Sequence, residues 1–188
     1  MSDADTEGTA EAIVLDLLPH GRADDDRPRY QKSPLAFALG TAEFRLYEFA
    51  LADDADISIA DWVSIDPPEE GIERFSEVGY DELSGGARSE LEYVVSDLLD
   101  EEESRFVEFY NEAGPITLRL HQLDLLPGIG EKLRNAILDE RKRTPFSTFE
   151  EIHERVSGLH DPREVIEERI MEEIREEEVK YRLFARRG

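Results

Sequence analysis

The stretch Leu126-Pro127-Gly128-Ile129-Gly130, followed by Glu131 and Lys132, is the part of the chain whose residue types suit chemistry. Two glycines flank one apolar residue after a proline. Gly128 can take a positive φ, a region that side chains with a Cβ avoid. Ile129 offers an apolar plug for the gap between two helices. Gly130 leaves room for a phosphate to approach. A helix that starts there turns its unpaired N–H groups and the positive end of its dipole toward the same point. Successive backbone N–H groups make an anion nest. Lys132 and Arg134 follow in the first turn and are within reach of flanking phosphates. Arg141, Lys142 and Arg143 extend the basic run at the far end of the same helix.

Residues 117 to 143 therefore read as helix, hairpin, helix. Leu120, Leu123 and Leu126 give the first helix an apolar face, and Ala136 and Ile137 pack the second. This resembles a helix-hairpin-helix motif, a module that grips sugar-phosphate backbones. One departure is Arg134, which stands where the motif usually carries alanine. A second, degenerate copy is expected at Gly158-Leu159-His160, in the places of Gly128, Ile129 and Gly130. It lacks the second glycine and opens an acidic helix, so a structural role is expected, burying the apolar face of the first hairpin. One hairpin supplies two or three charge-assisted bonds, roughly 3–6 kcal/mol at best. A millimolar affinity already needs about 4 kcal/mol, so a second surface must contribute.

The elements around the hairpin fall into two groups. Before residue 87, short apolar runs are punctuated by turns every 8 to 12 residues. Strands are expected at 12–21, 43–51, 57–65 and 71–80, with a short helical turn at 33–40 that has Ser33 as cap and Pro34 in the first helical position. Such spacing points to a small β-barrel or sandwich. After Leu83 the period becomes helical. Leu91, Val94, Val95, Leu98, Leu99, Phe106, Phe109 and Tyr110 form one stripe, ended by Gly114-Pro115. Further helices are expected near 117–125, 131–143, 148–156 and 162–178. "STFE" (147–150) reads as a capping box, and "DPRE" places Asp161 at a cap with Pro162 in the first position. The fold class is α+β. Expected divisions are a disordered acidic tail (1–10), an oligonucleotide-binding-like barrel (11–87), a connecting helix (88–114), a helix-hairpin-helix domain (115–178) and a basic tail (179–188) that returns to the barrel as an edge strand.

Composition removes several functions. The 188 residues contain no cysteine, so disulfides, thiolate metal sites and cysteine nucleophiles are excluded. The four histidines lack metal-ligand spacing, no run is long and apolar enough to span a membrane, and the acidic N-terminus has no secretory pattern. A cytoplasmic protein without cofactor, metal or membrane partner is expected. The formal net charge is −24. Acids spread along the whole chain, with eighteen arginines against four lysines, favour adaptation to multimolar salt over disorder or nucleic-acid mimicry. At 1 M salt the Debye length is about 3 Å, so net charge says little about partners. Three islands run against the acidity: 128–145, 180–188 and 20–32. They add Arg27, Arg29, Lys32, Arg182, Arg186 and Arg187 as secondary contacts.

Beyond the hairpin, "VLDLLPHGRADDDRPRYQKSPLAFALG", "SELEYVV", "RFVEFYNEAGPITLRLHQLDLLPGIGEKL", "RTPFSTFEEIHERV" and "KYRLF" together resemble the archaeal family catalogued as domain of unknown function 655. That resemblance implies an oligonucleotide-binding-type barrel, a helix-hairpin-helix region, and RNA binding near ribosome assembly or translation. The expectation is a non-catalytic nucleic-acid-binding protein, for RNA rather than DNA. A scaffold for ribosomal or transcription proteins is the alternative, and a DNA-binding or DNA-repair factor a further one. An enzyme is not expected: no nucleophile pair stands out, and Asp161 is explained as a helix cap.

Overall fold

A computed structural model describes residues 10–188; the first nine residues of the expected acidic tail lie outside it. The chain divides into two compact units. The first runs to Val94 and also takes residues 174–178 and 184–188. The second holds Val95–Glu173 and Val179–Leu183.

The first unit is built on five strands: β1 (Ala10–Leu18), β2 (Leu35–Gly40), β3 (Leu46–Leu51), β4 (Trp62–Asp66) and β5 (Ile72–Val78). Every pairing is antiparallel, in the order β4-β1-β2-β3-β5. The first four strands thus have Greek-key order, and the sheet curls as a half-barrel. Register sets the core. Ala36 pairs with Phe49 and Ala38 with Tyr47, and Ala12, Val14, Ala36, Ala38, Phe49, Leu51, Val63, Ile65 and Ile72 join in one buried cluster. The alternate residues Phe37, Leu39 and Leu46 are buried as well. With both faces covered, the sequence alternation is blurred.

That blurring explains one correction. Residues 33–40 do not form a helical turn capped by Ser33; Leu35–Gly40 are β2. Small Ala36 and Ala38 line one face and large Phe37 and Leu39 the other, so a continuous apolar run hides a strand. A bulge in β1 between Val14 and Asp16 re-aims Asp16. Its carboxylate accepts from the Ser84 hydroxyl at 2.6 Å, and Ser84 Oγ accepts from the Ala87 amide at 3.1 Å. That starts α1 (Gly85–Glu101). A Cβ on Gly86 would lie 2.8 Å from Asp16 Oδ2, so the close approach needs glycine there.

The single connecting helix expected at 88–114 is two: α1, then α2 (Glu103–Glu112) after a break at Glu102, whose φ of −115° and ψ of 37° leave the helical region. In the second unit follow α3 (Glu131–Arg143), α4 (Phe149–Arg155) and α5 (Pro162–Arg175). Tyr110 is fully buried and its hydroxyl donates to the Pro162 carbonyl at 2.7 Å. Asn111 exchanges two hydrogen bonds with the Phe146 backbone. Asp161 caps α5 as expected, accepting from Glu164 N at 3.0 Å. The α4 cap is shifted by one residue from the expected box: Thr148 accepts from Glu151 N, and Glu151 reaches back to Ser147 N.

No edge strand forms at 179–188. Tyr181 offers its carbonyl to Arg169, and Leu183 donates its amide to the Glu173 carboxylate. Residues 184–188, themselves part of the first unit, are tied within it by Arg186 N to Glu43 O and Gly188 N to the Glu77 carboxylate. Backbone groups already committed to side chains are lost to a ladder. No helix of the described residues is long and apolar enough to cross a membrane.

Candidate nucleic-acid interface

The approach to the hairpin is tighter than an α-helix. Instead of the helix expected at 117–125, residues 117–120 form a closed loop and Gln122–Leu125 a single 3-10 turn. Leu120, Leu123 and Leu126 recur every three residues, which is the 3-10 period. The turn is capped at both ends of one box. His121 Nδ1 accepts from Leu123 N at 3.1 Å, and Asp124 Oδ2 accepts from His121 N at 2.9 Å. Burial and the nearby Arg141 guanidinium hold the His121 imidazole below its ordinary pKa, which keeps Nδ1 free as acceptor.

The chain then leaves Leu126 in an extended conformation, and Gly128 takes φ +76°. Ile129 N donates to Leu126 O at 3.2 Å and closes the turn. The Ile129 side chain is buried, with Leu123, Leu126 and Ile137, as the plug reading requires. Gly130 is the N-cap of α3 and brings no side chain to its amides. The first helical bond is Arg134 N to Gly130 O, at 2.9 Å. The N–H groups of Gly130, Glu131, Lys132 and Leu133 therefore have no protein acceptor among the described residues. A Cβ added at Gly128 or at Gly130 would meet nothing within 4 Å. The nest is open.

The second hairpin repeats the turn, with one more residue before its helix, and is closed. Gly158 takes φ +92°, Leu159 N donates to Val156 O, and Leu159 is buried in the place of Ile129. Here, however, Asp161 occupies an α5 amide, and a Cβ on Gly158 would touch Leu133 of α3 at 3.4 Å. His153 bonds the Leu159 carbonyl at 3.1 Å, and His160 is exposed.

The structure sorts the basic candidates. Arg134 is committed to Asp124, with its Nη1 3.0 Å from both carboxylate oxygens. It anchors α3 to the 3-10 turn. Arg141 Nη1 donates to the carbonyls of Tyr110 and Ala113, at 3.2 and 2.7 Å, and so caps α2. Arg182 donates to the Glu173 carbonyl and Arg187 to the Ile174 carbonyl. Arg27 pairs with Asp25 at 2.8 Å. Arg186 lies 3.8 Å from Glu43 and stays largely exposed. Arg143 touches Glu140 at 3.3 Å and is 77% exposed, so it remains reachable. Lys132, Lys142, Arg29 and Lys32 have no side-chain hydrogen bond or ion pair among the described residues. Lys132 and Lys142 are exposed on α3, on the same helix as the open nest; Arg29 and Lys32 belong to the β1–β2 loop of the other unit.

Charge counting missed the two residues that hold the hairpin in shape, His121 and Asp124. Their i, i+3 spacing is the capping-box spacing and was a usable signal. Among the described residues, no group of three His, Asp or Glu could hold a metal ion.

The chain is 36% identical over 180 residues to an uncharacterized protein of Methanocaldococcus jannaschii, covering 93% of this chain and 79% of that one. Its fold is similar to the crystal structure of Af1531 from Archaeoglobus fulgidus, with 37% identity and a TM-score of 0.83, covering 94% of this chain and 99% of that one. The family model described as protein of unknown function DUF655 matches residues 9–186, and the chain belongs to that family.

Proposed function

We propose that the protein binds the phosphate backbone of nucleic acid, RNA rather than DNA, without catalysing a reaction on it. The observation that carries this reading is the contrast between two hairpins that share one glycine turn but not its surroundings. The second has Leu133 against its glycine and Asp161 capping its helix, while the first leaves four amides without acceptor and its glycines open to solvent. Buried Ile129 keeps both sides of the turn fixed. Lys132 adds a mobile cation in the first turn, with Lys142 and Arg143 at the far end of α3. In this reading the 3-10 turn, the hairpin and α3 are a helix-hairpin-helix element with a shortened first helix.

Exposed Glu131 opposes an anion beside the nest. Salt above 1 M screens that repulsion more than it weakens the short amide bonds. The Greek-key half-barrel would act as the oligonucleotide-binding-like second surface, with Arg29 and Lys32 in its β1–β2 loop. Ribosome assembly or translation is the setting the archaeal family suggests, and ribosomal or transcription proteins are the accompanying partners. Acidity throughout the chain suits a halophile's cytoplasm.

The test compares binding of a structured ribosomal RNA fragment with a DNA duplex of the same sequence, across a potassium chloride series. Tighter RNA binding that is lost in Gly130→Asp/Lys132→Glu supports the reading. Equal binding by that folded double variant overturns it.

A further inference from the structure

The most exposed large apolar side chain among the described residues is Leu118, at 106% of its reference accessibility. It is not carried on a loose loop. Ile116 N and Thr117 N both donate to Leu120 O, at 2.7 and 3.0 Å. Thr117 Oγ1 accepts from Arg119 N and Leu120 N, at 3.2 and 3.0 Å. Pro115 and His121 bridge the base of the loop, and Gly114 and Gln122 close it with two more bonds. A flexible loop would fold its leucine onto the surface. This one is built to keep it in water, and holding so much apolar surface there is unfavourable by the area exposed.

The loop is also joined to the hairpin. His121 ends the loop, Asp124 accepts from its amide, and Arg134 of α3 holds Asp124. Loop, 3-10 turn and nest therefore share one hydrogen-bonded frame. Residues 113–123 contain no acid, in a chain with 46 Asp and Glu. Asp124, the one acid between 113 and 130, is paired with Arg134. Arg119 is exposed and has no side-chain partner among the described residues. An acid-free, preformed tip with one apolar and one cationic side chain fits a partner that is both anionic and apolar in alternation. Unpaired nucleotides meet that description.

We infer that the Leu118-Arg119 tip is a second contact for the strand held at the nest: Leu118 packs against an unpaired or partly unstacked base, and Arg119 meets an adjoining phosphate. This rests on the nest reading and adds a substrate class, RNA with unpaired nucleotides next to the bound turn. Apolar wedges that part base steps are a known device of nucleic-acid-binding surfaces. Ten residues separate Leu118 from Gly128, so tip and nest lie at most about 35 Å apart, on the order of ten nucleotides of strand.

The experiment uses the full chain and an RNA stem-loop carrying 2-aminopurine at successive loop positions, in the lowest potassium chloride that keeps the protein folded. Wild-type protein should raise the fluorescence at one or two positions as the base unstacks. Leu118→Ser, which removes no internal contact, should melt as the wild type does, lose that rise and bind about tenfold more weakly. Arg119→Gln should lower the slope of log affinity against log salt by about 0.7. Wild-type affinity and fluorescence in Leu118→Ser overturn the tip contact and leave the nest standing, provided Gly130→Asp still abolishes binding. Binding that survives Gly130→Asp overturns the nest, and with it this inference. Loss of a defined protein partner by Leu118→Ser, with RNA signals unchanged, assigns the tip to protein recognition instead.

Discussion

Replacing Gly130 with alanine separates the fold from the ligand site. Gly130 has φ −98° and ψ −171°, extended backbone open to any residue. A Cβ there would meet no atom within 4 Å. The substitution should therefore cost no native contact: restricting the unfolded chain favours alanine by about 0.4–1 kcal/mol, the N-cap preference for glycine opposes it by a similar amount, and stability should stay within about 1 kcal/mol of wild type. The new methyl would stand on the open side of the nest, where a phosphate must approach the amides of α3. Losing one charge-assisted hydrogen bond costs about 1.5–3 kcal/mol, which weakens binding roughly ten- to hundredfold. The neighbouring Gly128→Ala behaves in the opposite way. Its φ of +76° lies in the left-handed region, so alanine should destabilise the fold by about 1–2 kcal/mol. Guanidinium denaturation reads the stabilities, and fluorescence anisotropy with labelled RNA reads the affinities. Wild-type affinity in Gly130→Ala, or destabilisation of that variant beyond about 1 kcal/mol, would refute the reasoning.

Glu173 is fully buried, accepts from Arg169 Nε at 2.8 Å and from Leu183 N at 2.8 Å; Glu173→Ala leaves buried Arg169 with only the half-exposed Glu172 at 3.5 Å as its acid and should lose about 3 kcal/mol in a chemical denaturation curve. His121 titrates below its ordinary 6.5 because of burial and Arg141. The folded state binds that proton less tightly than the unfolded state does, so the contribution is full above pH 6.5, is lost as pH falls below it, and levels off beneath the depressed value. The protection factor of the Leu123 amide, which donates to His121 Nδ1, should drop as pH falls over that range; a pH-independent protection factor would remove His121 from the support of the hairpin. With a net charge of −24, thermal stability should rise steeply between 0.1 and about 2 M potassium chloride, and a melting temperature independent of salt would contradict adaptation to a saline cytoplasm.

The sequence was most legible where one local rule acted alone. Helix α3 begins and ends at the expected residues, because Pro127 and left-handed Gly128 interrupt the chain before it and Thr144-Pro145 after it. Strands β1, β3 and β5 lie within or near the expected runs, since their turns carry Pro19, Asp53-Asp54 and Gly71. Failures came where distant partners decide. Segment 36–40 buries both faces, so its period vanished, and Pro34 imitated a helix start. Residues 117–125 kept a three-residue leucine spacing that fits a 3-10 turn, but only the Thr117 and His121 side-chain bonds show that an α-helix cannot form. The basic islands overstated the footprint for the same reason. Arg134, Arg141, Arg182 and Arg187 satisfy carboxylates or helix-end carbonyls remote in sequence, which no local charge count reveals. Leu118 carried no signal at all: only its exposure in the fold sets it apart.

The central claim is that the open hairpin, not the basic islands in general, holds nucleic acid. The most direct measurement is ultraviolet crosslinking of the full chain to RNA in its native salt, followed by identification of the crosslinked peptides. The account predicts crosslinks within residues 126–134 that disappear in folded Gly130→Asp/Lys132→Glu, while the second hairpin at 156–161 stays unmarked. Crosslinks concentrated at 156–161 or in 182–187, or undiminished recovery of RNA by the double variant, would contradict it.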